Sequence, residues 1–104
     1  MFTVENFSGT LEEKYQLLTK QMVALIEDEE NVIANLSNVS ALLNIYLKKV
    51  NWVGFYMVEG EGLVLGPFQG LPACIRIPFG RGVCGTAAKE KKTMVIEDVE
   101  QFPG

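Results

Sequence analysis

Gly80-Arg81-Gly82-Val83-Cys84-Gly85-Thr86-Ala87 is the stretch on which the fold turns. Ile75–Phe79 ahead of it reads as a short strand, and Ala87 onward reads as a helix. The glycines between them let the backbone turn through conformations closed to other residues. Gly80-x-Gly82-x-x-Gly85 also satisfies a dinucleotide-binding fingerprint, with Asp98 at a tolerable distance. Its neighbourhood decides against that reading. A doubly wound fold sets this strand near the start of a parallel βαβαβ run, whereas here a hairpin precedes it and little sequence follows. The eight residues instead make a turn into a helix of an α+β domain, and Cys84 stands at the start of that helix.

Upstream, Trp52-Val53-Gly54-Phe55-Tyr56-Met57-Val58 is apolar on both alternating faces, as expected of a central strand covered on each side. Glu59-Gly60-Glu61-Gly62 is a turn, and Leu63-Val64-Leu65 begins an antiparallel partner. Gly66-Pro67 should make that partner bend or bulge before Phe68-Gln69-Gly70. Pro78 places Ile75–Phe79 at a sheet edge or strand end. A helix near Val83–Lys89 and a strand over Thr93–Ile96 follow.

Two helices come first. Thr10-x-x-Glu13 is a capping-box pattern, and Leu11, Tyr15, Leu18, Met22, Leu25 and Ile26 follow at helical spacing, giving a helix over about 11–27. Asn31 can cap a second over about 31–48, with Val32, Leu36, Val39, Leu43, Tyr46 and Leu47 as its buried stripe and Ser37 and Asn38 opposite. The expected architecture is one domain over 1–104, with N-terminal helices packed on one face of an antiparallel sheet. With three or four strands before a turn at Phe102-Pro103-Gly104, the sheet is expected to be C-terminally incomplete. Its open edge would be partly covered in a homodimer.

Composition removes several function classes. The 104 residues are 48% hydrophobic, enough for a packed core, and carry a net charge of −4 without a basic stripe, so nucleic acid is not an expected partner. The acidic run Glu27-Asp28-Glu29-Glu30 reads as a solvated helix end. No apolar run can span a bilayer and the first residues lack a signal-peptide pattern, so a cytoplasmic protein with reduced thiols is expected. There is no histidine. A Ser-His-Asp triad, a Cys-His pair and His-ligated zinc are thereby excluded within this sequence, and neither a metal nor another cofactor is expected.

What remains is thiol chemistry. Cys84 would sit among the unpaired N–H groups of a helix N-terminus, near Arg81 and Arg76, and both effects favour thiolate over thiol. Cys74 lies ten residues upstream. Read without further context, Cys74 is more simply a small buried hydrophobe, and Cys84 fits either role.

Five blocks in register resemble the free methionine-(R)-sulfoxide reductases built on the GAF domain. They are Asn35-Leu36-Ser37-Asn38 with Ser40-Ala41-Leu42-Leu43; Val50-Asn51-Trp52-Val53-Gly54-Phe55-Tyr56; Leu65-Gly66-Pro67-Phe68-Gln69-Gly70; Ala73-Cys74-Ile75-Arg76-Ile77; and Gly80–Ala87. The resemblance implies a GAF-like fold and a reductase in which a thiolate attacks the sulfoxide sulfur. A second thiol then turns the sulfenic acid into a disulfide that thioredoxin reduces. It implies Cys84 and Cys74 as catalytic cysteines, with Cys74 the better match for the resolving partner. Trp52 matches the indole wall for the substrate methyl group. Tyr56 and Phe68 would line the pocket beside it or fill the core. Family members continue with a segment bearing a third cysteine and substrate-holding acids, which implies that these 104 residues hold part of an active site. Glu97 and Asp98 are the nearest acids here, and a solvated turn is the expected place for them. The alternatives are a non-catalytic GAF sensor that binds a small molecule, or an inactive fragment.

Overall fold

The computed structural model describes residues 2–102. Helix α1 (Leu11–Ile26) opens as its sequence dictates. Thr10 Oγ1 accepts from the Glu13 N–H at 3.1 Å, and the Glu13 carboxylate accepts from the Thr10 N–H at 3.0 Å. The Thr10 backbone and side-chain bonds hold the Glu13 carboxyl below its ordinary range. A lowered folded-state pKa contributes stability above the ordinary carboxylate range, and that contribution is lost as pH falls through the folded value. Thr10→Ala is therefore expected to lower the melting temperature by about 5 °C at neutral pH. The difference should shrink in acid, as a pair of melting series against pH would show.

Helix α2 (Val32–Tyr46) is capped by Asn31, whose Oδ1 accepts from the Ala34 N–H at 2.8 Å. Its buried residues are Val39, Ser40 and Leu42, with Ser37 and Asn38 outside. The expected stripes are trimmed at their N-terminal ends. Leu11, Tyr15 and Val32 are exposed, and in α1 only Leu18 is buried. Helix α2 packs across the sheet, and α1 packs on α2. No helix of the described residues is long and apolar enough to cross a membrane.

Strands β1 (Trp52–Glu59), β2 (Gly62–Gly70) and β3 (Arg76–Pro78) form an antiparallel sheet in the order β1-β2-β3. Among the described residues β1 is thus an edge strand, not the central one. Its two apolar faces are both half-buried, so the pattern reports cover above and below the sheet rather than pairing on both sides. The expected bulge is present. Gly54 pairs with Phe68 and Tyr56 with Leu65, which sets Gly66 and Pro67 opposite Phe55 alone. Ser40, fully buried, fastens this bulge to α2: its Oγ donates to the Leu36 carbonyl at 2.8 Å and approaches the Pro67 carbonyl at 3.3 Å.

Helix α3 (Gly82–Glu90) follows β3 and ends at Lys91 in the left-handed conformation. The glycine pattern now has a structural account. Gly80 and Gly82 have φ of 87° and 65°, closed to most residues, and Gly85 lies where a Cβ would sit 2.5 Å from the Pro78 carbonyl oxygen. Two glycines make the turn and the third lets α3 touch β3. Thr93–Ile96 forms no strand; it runs as irregular chain with Val95 exposed, since no described strand offers it a ladder. A 3₁₀ turn at Val99–Gln101 follows, capped by Asp98. The last two residues of the expected Phe102-Pro103-Gly104 turn lie outside the described residues.

Candidate thiol site

Alternation along β1 and the pairing register set Trp52, Tyr56, Phe68 and Ile77 on one face of the sheet. There the aromatics form a row. The Trp52 ring stacks on Phe68 with centroids 5.4 Å apart and on Tyr56 at 6.0 Å. All three are half-buried, so the indole presents apolar surface without being lost in the core.

Both polar atoms of this row are spent on one loop. Trp52 Nε1 donates to the Leu71 carbonyl at 3.2 Å, and the Tyr56 hydroxyl donates to the Cys74 carbonyl at 2.7 Å. These bonds clamp the β2–β3 loop, residues 71–75, over the aromatics from two points. Sequence reasoning missed this role because the acceptors are backbone oxygens, which carry no side-chain signal. Removing both donors while keeping an aromatic ring at each position (Trp52→Phe with Tyr56→Phe) is expected to free the loop. Backbone order parameters of residues 71–75 should fall below about 0.6 while α3 stays near about 0.85. Unchanged values for the loop would show that the clamp is not what orders it.

Cys74 and Cys84 are both free and both exposed. The expectation of a buried Cys74 is overturned: the clamp holds its backbone and leaves its side chain open. Cys84 is the third residue of α3, within the first turn, as its sequence position required. Burial, then the negative charge of Cys74 and of Cys84, raises the Tyr56 hydroxyl above its ordinary pKa. Tyr56 is bonded to the Cys74 backbone, and α3, which carries Cys84, packs at Gly85 against Ile77 on the same face of the sheet as Trp52 and Tyr56.

The cationic part of the expectation divides. Arg81 is the N-cap of α3, and its side chain is not used as a cap. Arg76 does not accompany Cys84. It pairs with Val64 on the opposite face from Ile77 and Gly85, and its guanidinium bonds Glu59 at 2.9 Å. Asp98 and Glu97 are exposed, and Asp98 accepts from the Glu100 N–H at 3.0 Å, in keeping with a solvated turn. Among the described residues no cluster of acids and cysteines could hold a metal ion.

No family model matches the chain. Similarity to individual proteins is nonetheless extensive. The chain is 61% identical over 106 residues to Protein YtsP of Bacillus subtilis, covering 100% of this chain and 65% of that protein. It is 51% identical over 92 residues to the free methionine-R-sulfoxide reductase of Escherichia coli, covering 88% and 56%. The solved free methionine-R-sulfoxide reductase of Neisseria meningitidis, in complex with its substrate, superposes with a TM-score of 0.90 at 40% identity, covering 99% of this chain and 62% of that one. Structures solved as GAF domains share the same fold. The chain spans about three fifths of the length of the curated relatives it matches. By sequence and by architecture, it is a GAF-fold homologue of the free methionine-R-sulfoxide reductases.

Proposed function

We propose that the protein reduces free methionine-(R)-sulfoxide to methionine through cysteine thiols, in the cytoplasm and with thioredoxin as the final reductant. The observation that carries this reading is the presence of two exposed free thiols beside a half-buried indole and a tyrosine hydroxyl bonded to the loop that bears Cys74, in a chain half identical to a named reductase. A sensor would need a pocket wall such as Trp52, but it has no use for two open thiols.

Each group has a task in the proposed relay. A cysteine thiolate attacks the sulfoxide sulfur as the oxygen takes up protons. Methionine leaves, and the attacking cysteine becomes a sulfenic acid. Cys74 then displaces water from that acid to give a disulfide. The balance is two thiols and one sulfoxide in, one disulfide, one thioether and one water out. Thioredoxin reduces the disulfide by thiol exchange, for which exposed sulfur atoms are required. Trp52 offers its face to the methyl group, which carries partial positive charge beside a polarised sulfur.

The test is turnover by the purified protein on the separated R and S epimers, with thioredoxin, its reductase and NADPH. Methionine formed from the free R epimer, with little from the S epimer or from sulfoxide within a peptide, is the expected result. Saturable binding without turnover, in protein whose thiols are confirmed reduced, would favour the sensor reading.

A further inference from the structure

Well away from the thiols, the N-terminal segment folds back over the junction of α1 and the end of α2. Tyr46 holds it there. The Tyr46 hydroxyl accepts from the Glu5 N–H at 3.1 Å and donates to the Glu5 carbonyl at 2.9 Å, and its ring stacks on Phe7 with centroids 4.6 Å apart. Beneath this strap lies a cavity of about 710 Å³, within the range of small-molecule sites.

The lining combines two chemistries. Leu11, Tyr15, Leu18, Ile45 and Phe7 supply apolar surface, much of it open to solvent at Leu11, Tyr15 and Ile45. Lys14, Lys48 and Lys49 supply cations, against Glu5 as the one acid of the lining. This inverts the balance of the whole chain, in which acids outnumber bases thirteen to nine. None of the three lysines forms an ion pair among the described residues. An apolar chamber walled by the protein's own backbone strap and bordered by free ammonium groups fits one ligand class well. We infer that this cavity binds a small amphipathic carboxylate, its hydrocarbon body against Leu11, Leu18 and Ile45 and its carboxylate among the lysines.

A titration of the intact protein with decanoate below its micelle concentration, followed by amide NMR, is the test. Saturable shifts confined to residues 4–7, 11–18 and 45–50 are expected. Decanol, with the same length and no carboxylate, should bind about tenfold more weakly, the loss of a charge-assisted hydrogen bond. Exchanging the three lysines (K14Q, K48Q, K49Q) should weaken decanoate by a similar factor. Three results would overturn the inference: no saturable shifts, equal affinity for decanol, or the same shifts arising from self-association as protein concentration rises without ligand. None of these residues belongs to the thiol site, so the outcome is independent of sulfoxide reduction.

Discussion

Cys74→Ser is expected to cut thioredoxin-coupled methionine sulfoxide reduction by about a thousandfold or more, as loss of an essential member of a catalytic set does. The reason lies in the two halves of the proposed relay. Attack on the sulfoxide consumes one thiol and yields one methionine, whereas recycling needs the second thiol to expel water from the sulfenic acid. A serine at position 74 cannot do that. Without any reductant the variant should still release close to one methionine per protein, while steady turnover disappears. Loss of that single burst together with turnover would move Cys74 from the resolving to the attacking role. Cys84→Ser, measured alongside, sorts the remaining part. Loss of its burst assigns attack to Cys84, and a retained burst assigns it to a different thiol. Intact mass before and after the burst provides the check, since a stalled sulfenic acid adds one oxygen to the protein.

Much of the scaffold could be read from residue types because local chemistry fixed it. Thr10 and Glu13 cap α1 within four residues of each other and Asn31 caps α2, both without help from distant parts of the chain, and Gly66-Pro67 bulges β2 against its hairpin partner β1. What escaped depends on contacts between segments remote in sequence. The edge position of β1 is set by which strands lie beside it, and an apolar alternation cannot encode that. Arg76 illustrates the same limit: nearness in sequence to Cys84 placed it with the thiol, yet one residue of register turns it to the other face, where Glu59 takes it. The thiols themselves were legible as chemistry, but their exposure was not. Cys74 reads as a buried hydrophobe until Trp52 and Tyr56 are seen to grip only its backbone loop. The glycine fingerprint erred differently. Its spacing is real, but turn geometry and helix–strand contact demand those glycines as firmly as a phosphate would.

Gly54→Ala carries the largest expected effect on the fold itself. Gly54 faces Phe68 across the β1–β2 ladder, and the Phe68 side chain leaves its backbone directly over it. A Cβ added at Gly54 would lie 2.3 Å from Phe68 Cβ, 2.8 Å from its Cα and 2.9 Å from the Pro67 carbonyl oxygen. These are backbone and near-backbone atoms, so no rotamer change relieves the contact. The strands must part at the bulge that Ser40 secures to α2. Overpacking of this kind costs about 3 kcal/mol, equivalent to a melting temperature lower by roughly 15 °C in a domain of this size. Gly60→Ala is the control: a Cβ there meets nothing within 4 Å, so only the strain of its φ of +62° is felt, about 1 kcal/mol. The two alanines differ in surroundings rather than in chemistry. A Gly54 variant that melts with the Gly60 variant would mean that the sheet yields easily at the bulge. The expected gap would instead show that Phe68, and through it the Trp52 face, is held by a slot only glycine leaves open.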